Sequence, residues 1–164
     1  MGNCLLVIAV MKITYNTELQ LERLESVKAG AVGALSFSAV FILAAIFNDF
    51  LFKEYFSEVD NLSIITLNWQ RLISAGIAGF CGFLFGVTYR YIIRADENPH
   101  LKTGSVFAFG LIRGLTQLDV GLNFTLSILP FALLAVESIL EFGVTAFILD
   151  RALQLGWVKP FVSN

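Results

Sequence analysis

Long apolar runs separated by short polar segments dominate the pattern of this chain. Four of them predict transmembrane helices, at 29–47, 72–93, 104–122 and 128–149. Because an α-helix rises roughly 1.5 Å per residue, a run of about 20 residues crosses a hydrocarbon core of about 30 Å. The run 104–122 is the most polar of the four, since it contains Arg113 and Asp119. A re-entrant segment is the alternative interpretation of that run.

The segment before the first run has a different periodicity. Between residues 17 and 28, Leu21, Leu24 and Val27 recur at helical spacing among charged residues. This pattern predicts a short amphipathic surface helix that leads into the first span. We therefore expect an all-α chain. It is predicted to form one membrane domain over residues 1–164, a bundle of four transmembrane helices preceded by this short helix.

The overall composition supports a membrane protein. Hydrophobic residues make up 57% of the chain and charged residues 15%, with a mean hydropathy of +0.76, whereas soluble domains are about a quarter charged. The net charge of −2 and the lack of a basic tract interleaved with aromatic residues argue against nucleic-acid binding. With the single histidine His100 and the two cysteines Cys4 and Cys81, the chain is not expected to hold a bis-histidine haem, a histidine-rich zinc site or a disulfide framework.

The distribution of basic residues predicts the orientation. In a four-span topology, eight of the eleven lie on the side of the two termini and two lie opposite, while Arg113 is intramembrane. The positive-inside rule then places both termini in the cytoplasm. If 104–122 is re-entrant, the C-terminus moves across. Met11 is an alternative start, which would make residues 1–10 an upstream extension.

Small residues recur along one stripe of the second run. They are Ala75, Ala78, Gly79, Gly82 and Gly86. Such a stripe lets another helix approach to backbone contact. The preferred interpretation is packing against the first span, whose beginning is also rich in glycine and alanine. Self-association into a homo-oligomer is the alternative.

Two acidic residues, Glu137 and Glu141, lie in the middle of the fourth run. In an antiparallel hairpin of the third and fourth runs, residues at equal depth place Arg113 opposite Glu137, which predicts a buried ion pair. Glu141 lies one turn further on the same face, and Asp119 falls near the membrane surface. A carboxylate at this depth is costly unless it is paired, protonated or hydrated.

Three interpretations of this polar stripe remain open. It can be a structural pair that sets the register between two helices, or a site that receives a partner helix, a pigment or a lipid headgroup. It can also carry protons or ions, with Glu137 and Glu141 as titrating groups. We expect no enzyme, because the serines have no histidine or lysine partner and no metalloprotease or phosphate-loop motif is present.

The stretch Tyr89 to Asp119 contains the pattern YRY..R...NP.LK.G...AF.L.RGL. In this pattern the chain resembles uncharacterised small membrane proteins of cyanobacteria with relatives in plastids. The resemblance covers about a fifth of the chain. It implies a photosynthetic source and a thylakoid or cell inner membrane, with both termini cytoplasmic or stromal. It implies no activity and no particular cofactor.

These observations predict an integral membrane scaffold or assembly protein. Its partners are the lipid bilayer and either another membrane protein or further copies of the chain. The alternative is a small transporter or channel subunit that uses intramembrane carboxylates.

Overall fold

The computed structural model describes residues 2–55, 69–93, 99–124 and 128–161, and these residues form four α-helices with no strand among them. The helices are α1 (Gly2–Tyr55), α2 (Trp69–Ile93), α3 (Pro99–Phe124) and α4 (Leu129–Gln154). The predicted all-α class is therefore confirmed for this part of the chain.

Three of these helices contain segments long and apolar enough to cross a membrane, by length and composition. The segments are Thr17–Asn48, Leu72–Ile93 and Phe131–Gln154. They correspond to the first, second and fourth predicted spans. The predicted span 104–122 lies within α3. This helix has 26 residues but is not apolar enough to count among the candidate membrane-spanning segments. The polar side chains in its second half are the physical reason.

The predicted short amphipathic helix is wrong, because the segment 17–28 belongs to the continuous helix α1. This helix has 54 residues and is roughly 80 Å long. Between Gly2 and Gly30 the sequence contains neither glycine nor proline, so nothing breaks the helix before the first span. The leucine face of this segment is exposed, with Leu21 at 58%. Small residues on another face of α1 are buried instead.

The helices pack as two antiparallel hairpins. Helix α1 packs mainly against α2, and α3 packs mainly against α4, while α1 and α4 join the hairpins. Their shared core is aromatic. The ring of Phe142 lies 4.5 Å from that of Phe37 and 5.0 Å from that of Phe85, measured between centroids. All three residues are at most 1% exposed.

Glycines allow the close approach within each hairpin. A β-carbon added at Gly82 of α2 would lie 2.7 Å from the carbonyl oxygen of Gly33 in α1. In the second hairpin, a β-carbon at Gly110 would lie 2.7 Å from the Cα of Ile139. Each distance is shorter than two such atoms can tolerate, so the two helices of each hairpin pack at backbone contact. The α3 glycines that make this second contact were not singled out from the sequence.

The bundle has two ends, which we name after α2. The Arg90 end contains the C-termini of α2 and α4 and the segment after α4. The Trp69 end contains the beginning of α2 and the last turns of α1. The sites described below lie on either side of the aromatic core.

Candidate functional site

A buried group of polar side chains lies between the aromatic core and the Trp69 end, where α1, α3 and α4 meet. We call it the polar cluster, and its members are Asn48, Arg113, Gln117, Glu137, Ser138 and Glu141. The most enclosed members are Ser138 and Glu141, which are 1% and 4% exposed. The cluster thus contains three of the predicted site residues, Arg113, Glu137 and Glu141, and Asn48 joins it to α1.

The guanidinium group of Arg113 occupies the centre of the cluster. Its Nε lies 3.8 Å from Oε2 of Glu141, and the two side chains are 14% and 5% exposed. Its central carbon lies 5.4 Å from the ring centroids of both Phe37 and Phe41 on α1. Such cation–π contacts stabilise a guanidinium away from water. Among the described residues, the buried Nε of Arg113 has no hydrogen-bond partner.

The other members of the cluster form two hydrogen-bonded pairs. The Nδ2 of Asn48 donates to Oε2 of Glu137 over 2.7 Å. The hydroxyl of Ser138 donates to Oε1 of Gln117 over 3.0 Å. The first pair connects α1 to α4 and the second connects α3 to α4. The cluster therefore ties both hairpins together.

The predicted partner of Arg113 is wrong, because the guanidinium lies beside Glu141 and not beside Glu137. The predicted hairpin register is accurate to about one residue, because Gly110 packs on Ile139 and Gly114 on Ala135. The direction of the side chains explains the difference.

Side chains in an α-helix lean toward the N-terminus of their own helix. In an antiparallel pair, Arg113 and Glu141 therefore lean toward each other. Glu137 leans away from Arg113, toward the Trp69 end, where it meets Asn48. The prediction compared only the depths of the Cα atoms. It therefore placed the partner of Arg113 about one turn away from its true position on α4.

The remaining predicted polar residue, Asp119, is outside the cluster. It is exposed on α3, and its backbone carbonyl accepts a hydrogen bond of 2.8 Å from Nδ2 of Asn123. Thr145 extends the stripe on α4 toward the Arg90 end, where its hydroxyl donates to the carbonyl oxygen of Glu141 over 2.8 Å. The polar stripe predicted along α4 is therefore buried, while the acidic residue of α3 is not.

The small residues of α2 divide into two groups. Ala78, Gly82 and Gly86 are buried, and both glycines lie against the backbone of α1. Gly79 is half-buried beside the side chain of Ser38, and Ala75 is exposed. The close contact with α1 therefore involves the half of the stripe nearer the Arg90 end.

A second polar site, centred on Arg90, was not found from the sequence. Arg90 is 1% exposed. Its guanidinium donates a hydrogen bond of 2.8 Å to the carbonyl oxygen of Lys159 and one of 2.7 Å to Oγ of Ser26. It also donates one to the carboxylate of Glu22. The backbone N–H of Lys159 in turn donates to Glu25 over 3.1 Å. The segment after α4 is thus fastened to α1 through a residue of α2.

No local pattern could have revealed this arrangement, because the partners of Arg90 are distant in sequence.

A neighbouring group of polar residues also joins helices that are distant in sequence. The hydroxyl of Tyr89 donates to Oδ1 of Asp150 over 3.0 Å, and Lys102 forms an ion pair with Asp150 at 3.0 Å. These contacts join the ends of α2, α3 and α4.

The chemistry open to the polar cluster follows from its charges. It contains two carboxyl groups and one guanidinium, so it carries one excess negative charge when all three are ionised. Within the described residues no set of three His, Cys, Asp or Glu side chains is arranged to hold a metal ion. The cluster can therefore stabilise the packing of helices or exchange a proton.

No protein-family model, curated protein or solved structure matches this chain. The function must therefore be inferred from the residues and their geometry.

Proposed function

We propose that this protein is a membrane assembly protein that binds a transmembrane helix of another membrane protein along the first part of α2. The observation that carries the proposal is the exposure of six consecutive residues, Leu72 to Ile77. Six residues cover more than one helical turn, so every face of α2 is uncovered there. We call this stretch the exposed segment.

The other helices differ at a comparable depth. In α1, residues 40–48 alternate between exposed and half-buried positions, as expected for a helix with one covered side. Residues 131–137 of α4 alternate in the same way. Helix α2 itself is packed at backbone contact with α1 further toward the Arg90 end. The exposed segment therefore leaves the bundle at the depth where the other helices stay together.

The composition of the exposed segment suits a partner helix. Three of its residues, Leu72, Ile73 and Ile77, have large apolar side chains. The other three, Ser74, Ala75 and Gly76, are small. A β-carbon at Gly76 would meet no atom within 4 Å. In lipid, helices associate through such small residues, because they permit close backbone contact that lipid chains do not provide.

The polar cluster supports a structural role over a transport path. Ser138 and Glu141 are at most 4% exposed, and Glu137 accepts a hydrogen bond from Asn48 of α1. A conduction path for ions requires polar groups that face water along its length. We assign the cluster to holding the hairpins in register, so that the exposed segment is presented in one orientation.

The proposed arrangement in the membrane follows from the same bundle. Helix α3 crosses together with α4, because α4 covers the buried face of α3 and pairs with Arg113. The Arg90 end faces the cytoplasm or stroma, since most basic residues belong to it. The resemblance to cyanobacterial and plastid proteins supports a thylakoid or cell inner membrane.

Site-specific photocrosslinking in the native membrane tests the proposal. A benzophenone amino acid placed at Ile73, a large side chain of the exposed segment that is 47% exposed, should give a discrete adduct with another membrane protein, identified by mass spectrometry. The control position is Leu35, which is 74% exposed on the packed part of α1 and should give no protein adduct. Equal adducts from both positions, or none from Ile73, would contradict the proposal. An adduct of two copies of this chain would replace the foreign partner by a homo-oligomer.

A further inference from the structure

The carboxyl group of Glu141 has an unusual environment in the described part of the chain. Its side chain is 5% exposed, and its only charged neighbour within ion-pair distance is Arg113, at 3.8 Å. That distance is too long for a hydrogen bond. No described side chain or backbone group donates a hydrogen bond to this carboxyl group, while Glu137 accepts one from Asn48. Glu141 is thus the more deeply buried acid of the cluster, and it lacks the hydrogen bond that Glu137 has.

The surroundings of Glu141 limit what can compensate its charge. On its own helix the nearby titratable group is Glu137, and on α3 it is Arg113. Helix α1 has no charged residue between Lys28 and Asn48 and contributes Phe37 and Phe41 to this region. Helix α2 contributes the half-buried Cys81, which packs against the adjoining aromatic core.

Counting these charges leaves one negative charge in excess, because a single guanidinium faces two carboxylates. A low-dielectric interior penalises an uncompensated charge strongly. A metal ion would require several ligands around it, and the described residues contain no group of three His, Cys, Asp or Glu side chains that could hold one. A proton requires only one carboxyl oxygen.

We propose that Glu141 reversibly binds a single proton, which makes the polar cluster electrically neutral. In the protonated state the carboxyl O–H becomes a donor, and Arg113 is balanced by Glu137 alone. In the deprotonated state the attraction between Arg113 and Glu141 increases. The proton therefore sets how strongly α3 is held to α4 at this depth. This inference concerns the interior of the bundle and is independent of the partner proposed for the exposed segment.

Infrared spectroscopy of the protein in lipid nanodiscs measures this proton directly. A protonated carboxylic acid has a carbonyl band that is distinct from the bands of a carboxylate. We expect such a band at low pH and its loss as the pH is raised, with the protonated fraction falling roughly tenfold per pH unit above the midpoint. The band should be missing at every pH in Glu141→Gln. In Glu137→Gln it should remain at low pH but be lost at a lower pH than in the unmodified protein, because this variant removes the excess negative charge.

A further variant tests the link to the guanidinium. Because Arg113 stabilises the carboxylate form, Arg113→Gln should preserve the band to higher pH than in the unmodified protein. Sodium added at constant pH should leave the band unchanged.

Several results would overturn the proposal. A band that persists at every pH would make Glu141 a permanently protonated acid, and no band at any pH would make it permanently ionised. A band that is kept in Glu141→Gln and missing at every pH in Glu137→Gln would assign the proton to the other carboxyl group. Loss of the band on addition of sodium would assign the site to a metal cation.

Discussion

Asn48 of α1 and Glu137 of α4 are joined by a hydrogen bond of 2.7 Å between Nδ2 and Oε2. The bond connects the two hairpins between their aromatic core and the Trp69 end. It gives Glu137 a partner that is remote in sequence. Arg113 interacts with Glu141 instead, and this exchange of partners determines how the polar cluster responds to substitution.

The first prediction concerns the coupling between Arg113 and Glu141. Each single change, Arg113→Leu or Glu141→Leu, should lower the free energy of unfolding, because it leaves the other group without its partner. The double variant should lose less than the sum of the two, by roughly 0.5–3 kcal/mol. Unfolding in detergent, followed by circular dichroism, measures all four proteins. The control cycle combines Arg113→Leu with Glu137→Leu and should show the smaller coupling. A larger coupling in the control cycle would restore Glu137 as the partner of Arg113.

The second prediction concerns the contact between α1 and α2. Gly82→Leu should destabilise the protein strongly, since a side chain there collides with the backbone of Gly33, and overpacking commonly costs about 1–3 kcal/mol or more. Gly76→Leu is the same substitution in the same helix, and it should leave the stability of the isolated protein unchanged or slightly higher. Leu84→Ala should be mild, because Leu84 is 43% exposed. Melting temperatures in detergent distinguish the three variants, and equal values for the two glycine variants would contradict the contact.

Gly76→Leu also bears on assembly. Although the isolated protein should remain stable, the bulky side chain occupies the exposed segment and should weaken partner binding. Photocrosslinking from Ile73 in this variant measures the effect.

The third prediction concerns the attachment of the segment after α4. Arg90→Gln should release this segment, because glutamine cannot replace the guanidinium contacts with Lys159, Ser26 and Glu22. Removing one partner from a buried charged network costs roughly 3–5 kcal/mol. Hydrogen exchange of residues 155–161 should become faster, since the N–H groups of Trp157 and Lys159 are bonded in the docked form.

The control for this experiment is Arg151→Gln. Arg151 is exposed, and Gln154 is the only hydrogen-bond partner of its side chain among the described residues. Its substitution should leave the exchange of residues 155–161 unchanged. Unchanged exchange in Arg90→Gln as well would show that the segment is held by apolar contacts, including the buried Val158.

The fourth prediction concerns orientation in the membrane. In a variant without Cys4 and Cys81, a cysteine at Glu18 and one added after the C-terminus should react with an impermeant maleimide from the same side. A cysteine replacing Trp69 should react from the opposite side, because α2 begins there and Trp69 is 75% exposed. This outcome follows from the basic residues that cluster near the termini. Labelling of the C-terminal cysteine together with position 69 would reverse the assignment.

The sequence alone determined the class of this protein and three of its membrane segments. Hydropathy and helical spacing are local properties, since each segment contains enough apolar residues to be recognised without its neighbours. The small residues around Gly82 could be recognised as a helix-packing face for the same reason, as their spacing repeats along one face. The depth of Arg113 relative to α4 followed from the short connection between α3 and α4.

Only the tertiary structure decided which polar groups meet. The partners of Glu137 and Arg90 lie on other helices, at positions set by the rotation of each helix about its axis and by the lean of its side chains. Likewise, the choice of the buried face of α1 within residues 17–28 depends on contacts with α2 and with the segment after α4, which cover Ser26 and leave Leu21 exposed. Hydropathy is summed along one helix, whereas a hydrogen bond or ion pair requires two side chains to converge within about 3–4 Å. A one-dimensional pattern contains no information on that convergence.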